Sequence, residues 1–331
     1  MPINSIEPVG THSIGPNECE CRKPLRLKLS TVTAAPPPSR ALAYLLLTLT
    51  VLFWSGNWVV GRWIRGDVPP IALSFWRWVI AFLCLLPWAW PHLRAQWREV
   101  ASHWKVLAML GLFGGACHNA LTYTGLAHTT ATNGVLLASA TPIMIIGLSW
   151  ALFGKRLRPL EWLGVMVSFS GVLAILAHGE LARLLELRPN AGDLWVLFAM
   201  LFWALYTVLL VHRPAGLHPL SFLAAVTLWG LAGLAPFYLW EMAAGRLIVP
   251  GLPAFAAIAY AGIFPAALGF IFWNRAVAEV GGNRAGQFMH LMPAFGTLLA
   301  IVFLGEQPAL YHLAGIALIL AGIFLTTRVR A

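Results

Sequence analysis

The sequence predicts an all-α polytopic membrane protein: ten transmembrane helices in two inverted repeats of five, with both termini cytoplasmic. Three observations carry this. Of 331 residues, 59% are hydrophobic and 10% charged, where a soluble domain carries about a quarter charged. Ten stretches reach the roughly 20 apolar residues that a bilayer core about 30 Å thick requires. The first half of the chain also aligns onto the second at a nearly constant offset.

The ten stretches are 41–63, 70–90, 105–127, 131–153, 159–178, 193–212, 219–240, 254–277, 284–304 and 309–327. They are apolar all round, which excludes the alternating strands of a β-barrel and the polar faces of a soluble bundle. The mean hydropathy of +0.76 agrees. The net charge of +10 reads as a topology signal. With the N-terminus inside, the inner segments hold sixteen of the 22 Lys and Arg, including Arg94, Arg98, Lys105, Lys155, Arg156, Arg158, Arg213, Arg275 and Arg284. The outer segments hold Arg62, Arg65, Arg183, Arg188 and Arg246, and Arg77 lies within the second span. Such a bias also attracts anionic membrane lipid; it does not describe a nucleic-acid surface. Residues 1–40 lack the apolar region of a signal peptide and read, with Pro36, Pro37 and Pro38, as a flexible cytosolic tail. Cys19 and Cys21 in that tail have no second ligand pair, so neither a metal site nor a disulfide framework is expected.

At an offset of 151, the third to fifth spans fall on the eighth to tenth. Ala108 meets Ala259, Gly111 meets Gly262, Phe113 meets Phe264, Pro142 meets Pro293, Gly164 meets Gly315 and Gly171 meets Gly322. At 149, the first two spans fall on the sixth and seventh, where Phe53-Trp54 meets Phe202-Trp203, Pro70 meets Pro219 and Pro87 meets Pro236. The chain therefore divides into the tail, a first repeat at 41–178, an outer connector at 179–192 and a second repeat at 193–328. Five is odd, so the second copy crosses the membrane upside down. Inverted repeats with a site at their interface are the architecture of alternating-access transporters.

The repeats also resemble a known family. Phe53-Trp54-Ser55-Gly56-Asn57-Trp58 resembles the Trp-Gly-Ser-Asn-Phe pattern opening the EamA repeat, and Arg77 with Ala81 resembles its Arg-x-x-x-Ala. Gly154-Lys155-Arg156 with Gly164 and Gly171, and Gly305-Glu306 with Gly315 and Gly322, resemble its closing segment. Residues 41–328 thus resemble the drug/metabolite transporter superfamily, and within it the YddG-like exporters of aromatic and other amino acids. In the second copy Ala224-Ala225-Val226 stand where an Arg is expected, so Arg77 has no symmetry mate. The resemblance implies a central cavity lined by spans 1, 3, 4, 6, 8 and 9, with spans 5 and 10 peripheral. Small-residue stripes on those two spans (Gly164, Ser168, Gly171; Ala314, Gly315, Gly322) independently suit close helix packing in lipid.

Polar groups within lipid are costly unless paired or facing a wet cavity. The substrate-binding candidates are Asn57 and Trp58 in span 1, His118, Asn119 and Tyr123 in span 3, and Ser139 in span 4. In the second copy they are Trp203 and Tyr206 in span 6, Trp273 and Asn274 in span 8, and Gln287 and His290 in span 9. The offset of 151 pairs Tyr123 with Asn274 and Ser139 with His290, at matching depths. An aromatic, amide-rich cavity without an acid suits a small zwitterion with an apolar side chain. A multivalent cation would call for buried acids, and a phosphate ester for several buried Lys or Arg. Arg77 is expected to be structural, with an acceptor on span 1 or 3 or at a helix C-terminus, rather than to clamp a substrate carboxylate. Pro142 and Pro293 are candidate hinges.

No acidic residue lies deep in a span and no Gly-x-x-x-x-Gly-Lys-Ser/Thr loop occurs, so ATP is not the driver. Facilitated movement is the reading, with proton coupling through His290 as its alternative. Hydrolytic motifs (Gly-x-Ser-x-Gly, His-Glu-x-x-His, paired acids in spans) are missing, which argues against an enzyme, and no cofactor is expected. The expected function is export of small metabolites, chiefly amino acids, across a bacterial inner membrane. Export of nucleosides or other drug-like metabolites is the alternative.

Overall fold

The structure is a computed structural model that describes residues 40–129, 134, 137–177, 179, 180, 182, 190–304 and 309–328, with the side chains at 300–304 and 328 left aside. The tail with Cys19 and Cys21, Asn133, Gly305-Glu306 and most of the connector lie outside the described residues. We label ten helices: α1 Arg40–Trp63, α2 Pro70–Ala95, α3 Trp104–His128, α4 Thr141–Phe153, α5 Pro159–Leu176, α6 Ala191–Leu209, α7 Pro219–Ala243, α8 Leu252–Val280, α9 Leu291–Leu304 and α10 Leu310–Arg328. Among the described residues, eight of them are long and apolar enough to cross a bilayer; α4 and α9 are shorter.

Local chemistry sets their ends. Proline stands in the first turn of α2, α4, α5, α7 and α8, where its missing N–H costs nothing. Gly154, at φ 64°, ends α4 in the left-handed region. Asn190 and Asp193 cap α6 reciprocally. Thr129, at the end of α3, donates its hydroxyl to Asp193 and accepts from Asn190 Nδ2 at 3.1 Å.

Several expected boundaries move, among them two helix ends. Helix α2 runs past 90 to Ala95, and α7 runs past 240 to Ala243. Glu241 is therefore inside a helix and buried. Its carboxylate accepts from the backbone N–H of Ala72 at 2.7 Å and of Ile71 at 3.3 Å, the free donors at the start of α2.

Both α3 and α8 contain a π-helical turn, at Gly111–Cys117 and Gly262–Leu268, related by the same offset of 151. Pro265, in the second of them, has no N–H for the α-helical ladder. The helical path is also interrupted at Ala140, before Pro142, and by a 3₁₀ turn at Phe288–His290, before Pro293.

Packing crosses the repeats. Helix α1 lies against α8 and α9, while α6 lies against α3 and α4. Each group so formed draws helices from both copies. Helices α2 and α7 pack on each other and on the π turns of α8 and α3 respectively. The glycine stripes of α5 and α10 face one another: a Cβ on Gly322 would sit 2.4 Å from the Gly164 carbonyl oxygen, and one on Gly171 2.5 Å from that of Gly315. Trp88, Trp90, Trp97 and Trp104 are exposed, as interfacial anchors are.

Candidate functional site

A cavity lies where these two groups meet. Its wall carries Trp54, Asn57 and Trp58 from α1, Arg77 from α2, His118, Asn119, Thr122 and Tyr123 from α3, and Ala138 just before α4. Met200 and Trp203 come from α6, Phe270 from α8, and Met289 and Met292 from the start of the ninth span. Only about 30 Å³ of it is wide enough for water, room for one or two molecules. An amino acid enters only if the walls separate.

Four of the polar side chains, Arg77, Asn119, Tyr123 and Asn57, form one connected network. Arg77 Nη1 donates to Asn119 Oδ1 at 2.9 Å and to the Tyr123 hydroxyl at 2.8 Å. Tyr123 donates to Asn57 Oδ1 at 2.8 Å. Asn119 Nδ2 donates to the carbonyls of Gly114 at 3.0 Å and Gly115 at 2.9 Å, inside the first π turn. That turn departs from the regular i→i−4 ladder, and the Asn119 amide supplies a donor to it. The π turn of the second copy is served by Trp54 of α1, whose Nε1 donates to Pro265 O at 3.0 Å. His118 Nδ1 lies 3.0 Å from Ala199 O; a carbonyl only accepts, which assigns the proton of a neutral ring to Nδ1 and leaves Nε2 an acceptor.

One side of the cavity is closed by packed rings. Trp203 meets Trp54 edge-on at 4.8 Å, Trp273 at 5.3 Å, Phe270 at 5.4 Å and Tyr206 at 5.2 Å between centroids. Just past them, Tyr206 donates to Asn274 Oδ1 at 2.7 Å. The offset of 149 carries Asn57 onto Tyr206, and 151 carries Tyr123 onto Asn274. The Asn57–Tyr123 bond therefore recurs with its two residue types exchanged. Each bond links α1 or α8 to α3 or α6, and so ties one packed group to the other.

A wider space adjoins each bond. Beyond Tyr206–Asn274 is a vestibule with about 520 Å³ of water-accessible space, walled by Asn274, Thr207, Lys155, Arg156, Arg213 and Arg284. Burial holds the Arg213 guanidinium below its ordinary value. Beyond Asn57–Tyr123 is one with about 300 Å³, walled by Tyr123, Gly61, Arg65 and Pro70.

Of the sequence candidates, Asn57, Trp58, His118, Asn119, Tyr123 and Trp203 line the central cavity. Tyr206 and Trp273 are fully buried in the ring cluster, and Asn274 faces the larger vestibule. Ser139, Gln287 and His290 do not line the cavity. His290 turns toward other helices: Nδ1 lies 2.6 Å from Ser168 Oγ on α5 and Nε2 3.0 Å from Ser139 O, so both ring nitrogens are used between helices. Sequence reasoning missed Ala138, Met200, Phe270, Met289 and Met292, apolar residues with no polar signal to mark them. It also placed Arg77 outside the substrate-binding set, whereas the structure puts it in the cavity wall. Among the described residues no group of three metal-ligating side chains occurs.

The profile of the EamA-like transporter family matches residues 41–177 and again 190–328. The chain belongs to the EamA-like transporter family. This EamA-like protein is 27% identical over 285 residues to an uncharacterized transporter of Archaeoglobus fulgidus, covering 86% of this chain and 96% of that one. It is 25% identical to the uncharacterized transporter YyaM of Bacillus subtilis, over 86% of this chain and 93% of that one. With a probable terminal-alkyne amino-acid exporter of Streptantibioticus cattleyicolor it shares 29% identity, over 85% of this chain and 92% of the other. A solved structure described as "Crystal structure of protein" has the same fold, with a TM-score of 0.67 at 22% identity, covering 87% of this chain and 98% of that one. The EamA-like protein is thus a multi-pass membrane transporter with a small-molecule substrate.

Proposed function

We propose that this EamA-like protein moves amino acids, aromatic ones included, out of a bacterial cell by alternating access, driven by the substrate gradient alone. The exchanged Asn–Tyr bonds carry this reading. They tie the same two helix groups at both ends of one cavity, from positions that the internal repeat makes equivalent. Parting Asn57 from Tyr123 while Tyr206 holds Asn274 admits substrate from one side; the reverse admits it from the other. The interruptions before Pro142 and Pro293 are the hinges.

All ten helices cross the membrane in this reading, in two inverted sets of five. The end carrying Lys155, Arg156, Arg213 and Arg284 is cytoplasmic. Rings for an apolar side chain, one cation and no acid in the cavity wall support an amino acid substrate, as does the likeness to an amino-acid exporter. The engagement of both His290 nitrogens between helices supports gradient-driven movement without a proton relay there.

Proteoliposomes given labelled tryptophan, threonine and a nucleoside, with no ion gradient imposed, test the reading. Tryptophan and threonine are expected to equilibrate, and Trp58→Ala to abolish tryptophan entry. Entry of the nucleoside alone would replace the substrate class. Entry that requires a pH gradient would replace the energy source.

A further inference from the structure

We propose that Arg77 is the carboxylate-recognition residue of this transporter, so that its substrates are organic carboxylates and their carboxyl group docks on one half of the cavity only. The inference rests on the reading of the cavity as the transport site. Arg77 is 3% exposed and permanently charged. Among the described residues it has no acidic partner: the single nitrogen Nη1 serves the neutral acceptors Asn119 and Tyr123, and the guanidinium lies 5.8 Å from the ring centroids of Trp78 and Tyr123. Its Nε is buried with no hydrogen-bond partner, and so is Nε1 of Trp203 in the same wall.

The wall therefore holds a positive charge met only by neutral groups, together with spare donors, while two of its amide acceptors, Asn57 Oδ1 and Asn119 Oδ1, are already engaged. A buried cation without a counter-charge is costly, and an ionisable group inside a membrane span marks a substrate path. A guanidinium is planar and forked, the geometry that receives a carboxylate through two parallel hydrogen bonds. Because Ala224-Ala225-Val226 occupy the matching stretch of the second copy, nothing there competes for the anion. The location also links recognition to movement. Arg77 donates to the same Tyr123 hydroxyl that donates to Asn57. A carboxylate that draws the guanidinium away weakens that chain of bonds and loosens the closure beside the smaller vestibule.

The test is thermal stabilisation of the purified full-length protein by four probes with one shared ring. Tryptophan and indole-3-propionate carry a carboxylate; tryptamine and tryptophanamide do not. The carboxylates are expected to bind the wild-type protein at least about tenfold more tightly, the scale of a charge-assisted hydrogen bond. Arg77→Lys should keep the preference at lower affinity, and Arg77→Gln should abolish it. Equal binding of all four probes to the wild type overturns the proposal, whether or not the variants fold. So does an Arg77→Gln protein that keeps the preference. Binding of indole-3-propionate without binding of tryptophan sustains the Arg77 assignment while removing amino acids as substrates. Binding of the amide and amine but of neither acid removes the Arg77 assignment and leaves alternating access standing.

Discussion

Replacing Asn119 with alanine should be the most damaging deletion of a polar side chain in the cavity wall. Its amide does two things at once: Nδ2 donates to the Gly114 and Gly115 carbonyls of the π turn, and Oδ1 accepts from Arg77. Alanine leaves those two carbonyls without the amide donor and gives Arg77 one acceptor fewer. Each buried polar group left unpaired costs about 1–3 kcal/mol, and partners found in the unfolded membrane state reduce this, so a net loss of about 3 kcal/mol is expected. The thermal midpoint of the purified protein should fall by several degrees and transport should be lost. Asn119→Asp, which keeps an acceptor for Arg77 but no donor for the carbonyls, should fall in between. An unchanged midpoint in Asn119→Ala would mean that the π turn does not depend on this amide.

Much of this arrangement is legible in the sequence, for physical reasons that also show where reading stops. The offsets of 149 and 151 are visible because small and imino residues at helix crossings admit few replacements. Gly164 against Gly322 and Gly171 against Gly315 are such crossings, where a Cβ would strike a facing backbone. Pairing Tyr123 with Asn274 is legible at the same offset, but their hydrogen bonds to Asn57 and Tyr206 are not. Each partner lies on another helix, and a periodic pattern says nothing about which helix is the neighbour. His290 illustrates the same limit. A deep polar residue in an apolar helix signals either a cavity or another helix, and here it is met by Ser168 and Ser139. The methionines at 200, 289 and 292 line the cavity with side chains that would serve equally in a core. Arg77 reads as a buried charge seeking acceptors, which it found on α3; the orphaned Nε appears only once the neighbours are in place.

The second large effect is expected at Trp203, which is 1% exposed and touches four other rings of the cluster. Truncation of a buried tryptophan to alanine costs about 3–5 kcal/mol through lost packing and the cavity left behind. It also removes the shared member of the layer between the central cavity and the Tyr206–Asn274 bond. Trp203→Ala should therefore lower the thermal midpoint by an amount comparable to Asn119→Ala and weaken tryptophan binding more than threonine binding, because the lost surface is the one that packs on a large ring. Trp203→Phe should recover most of the stability. Equal loss for both amino acids would place the side-chain pocket elsewhere.

The most direct test of alternation is the reactivity of one cysteine in the cavity wall, measured from each side of the membrane. In a background lacking the native cysteines, Met289→Cys places a thiol in the central cavity. A membrane-impermeant reagent is applied from either side to reconstituted protein carrying Asn57→Ala or Tyr206→Phe, symmetry mates that each remove one closing bond and leave Arg77 its bond to Tyr123. One interhelical hydrogen bond in a membrane is worth about 0.6–1 kcal/mol, so a threefold to fivefold shift is expected, roughly. Asn57→Ala should raise labelling from the side of the smaller vestibule, and Tyr206→Phe from the side of the larger, basic one. Opposite shifts from the two variants are the predicted result. Labelling that rises from the same side in both, or changes in neither, would contradict alternation through these two bonds.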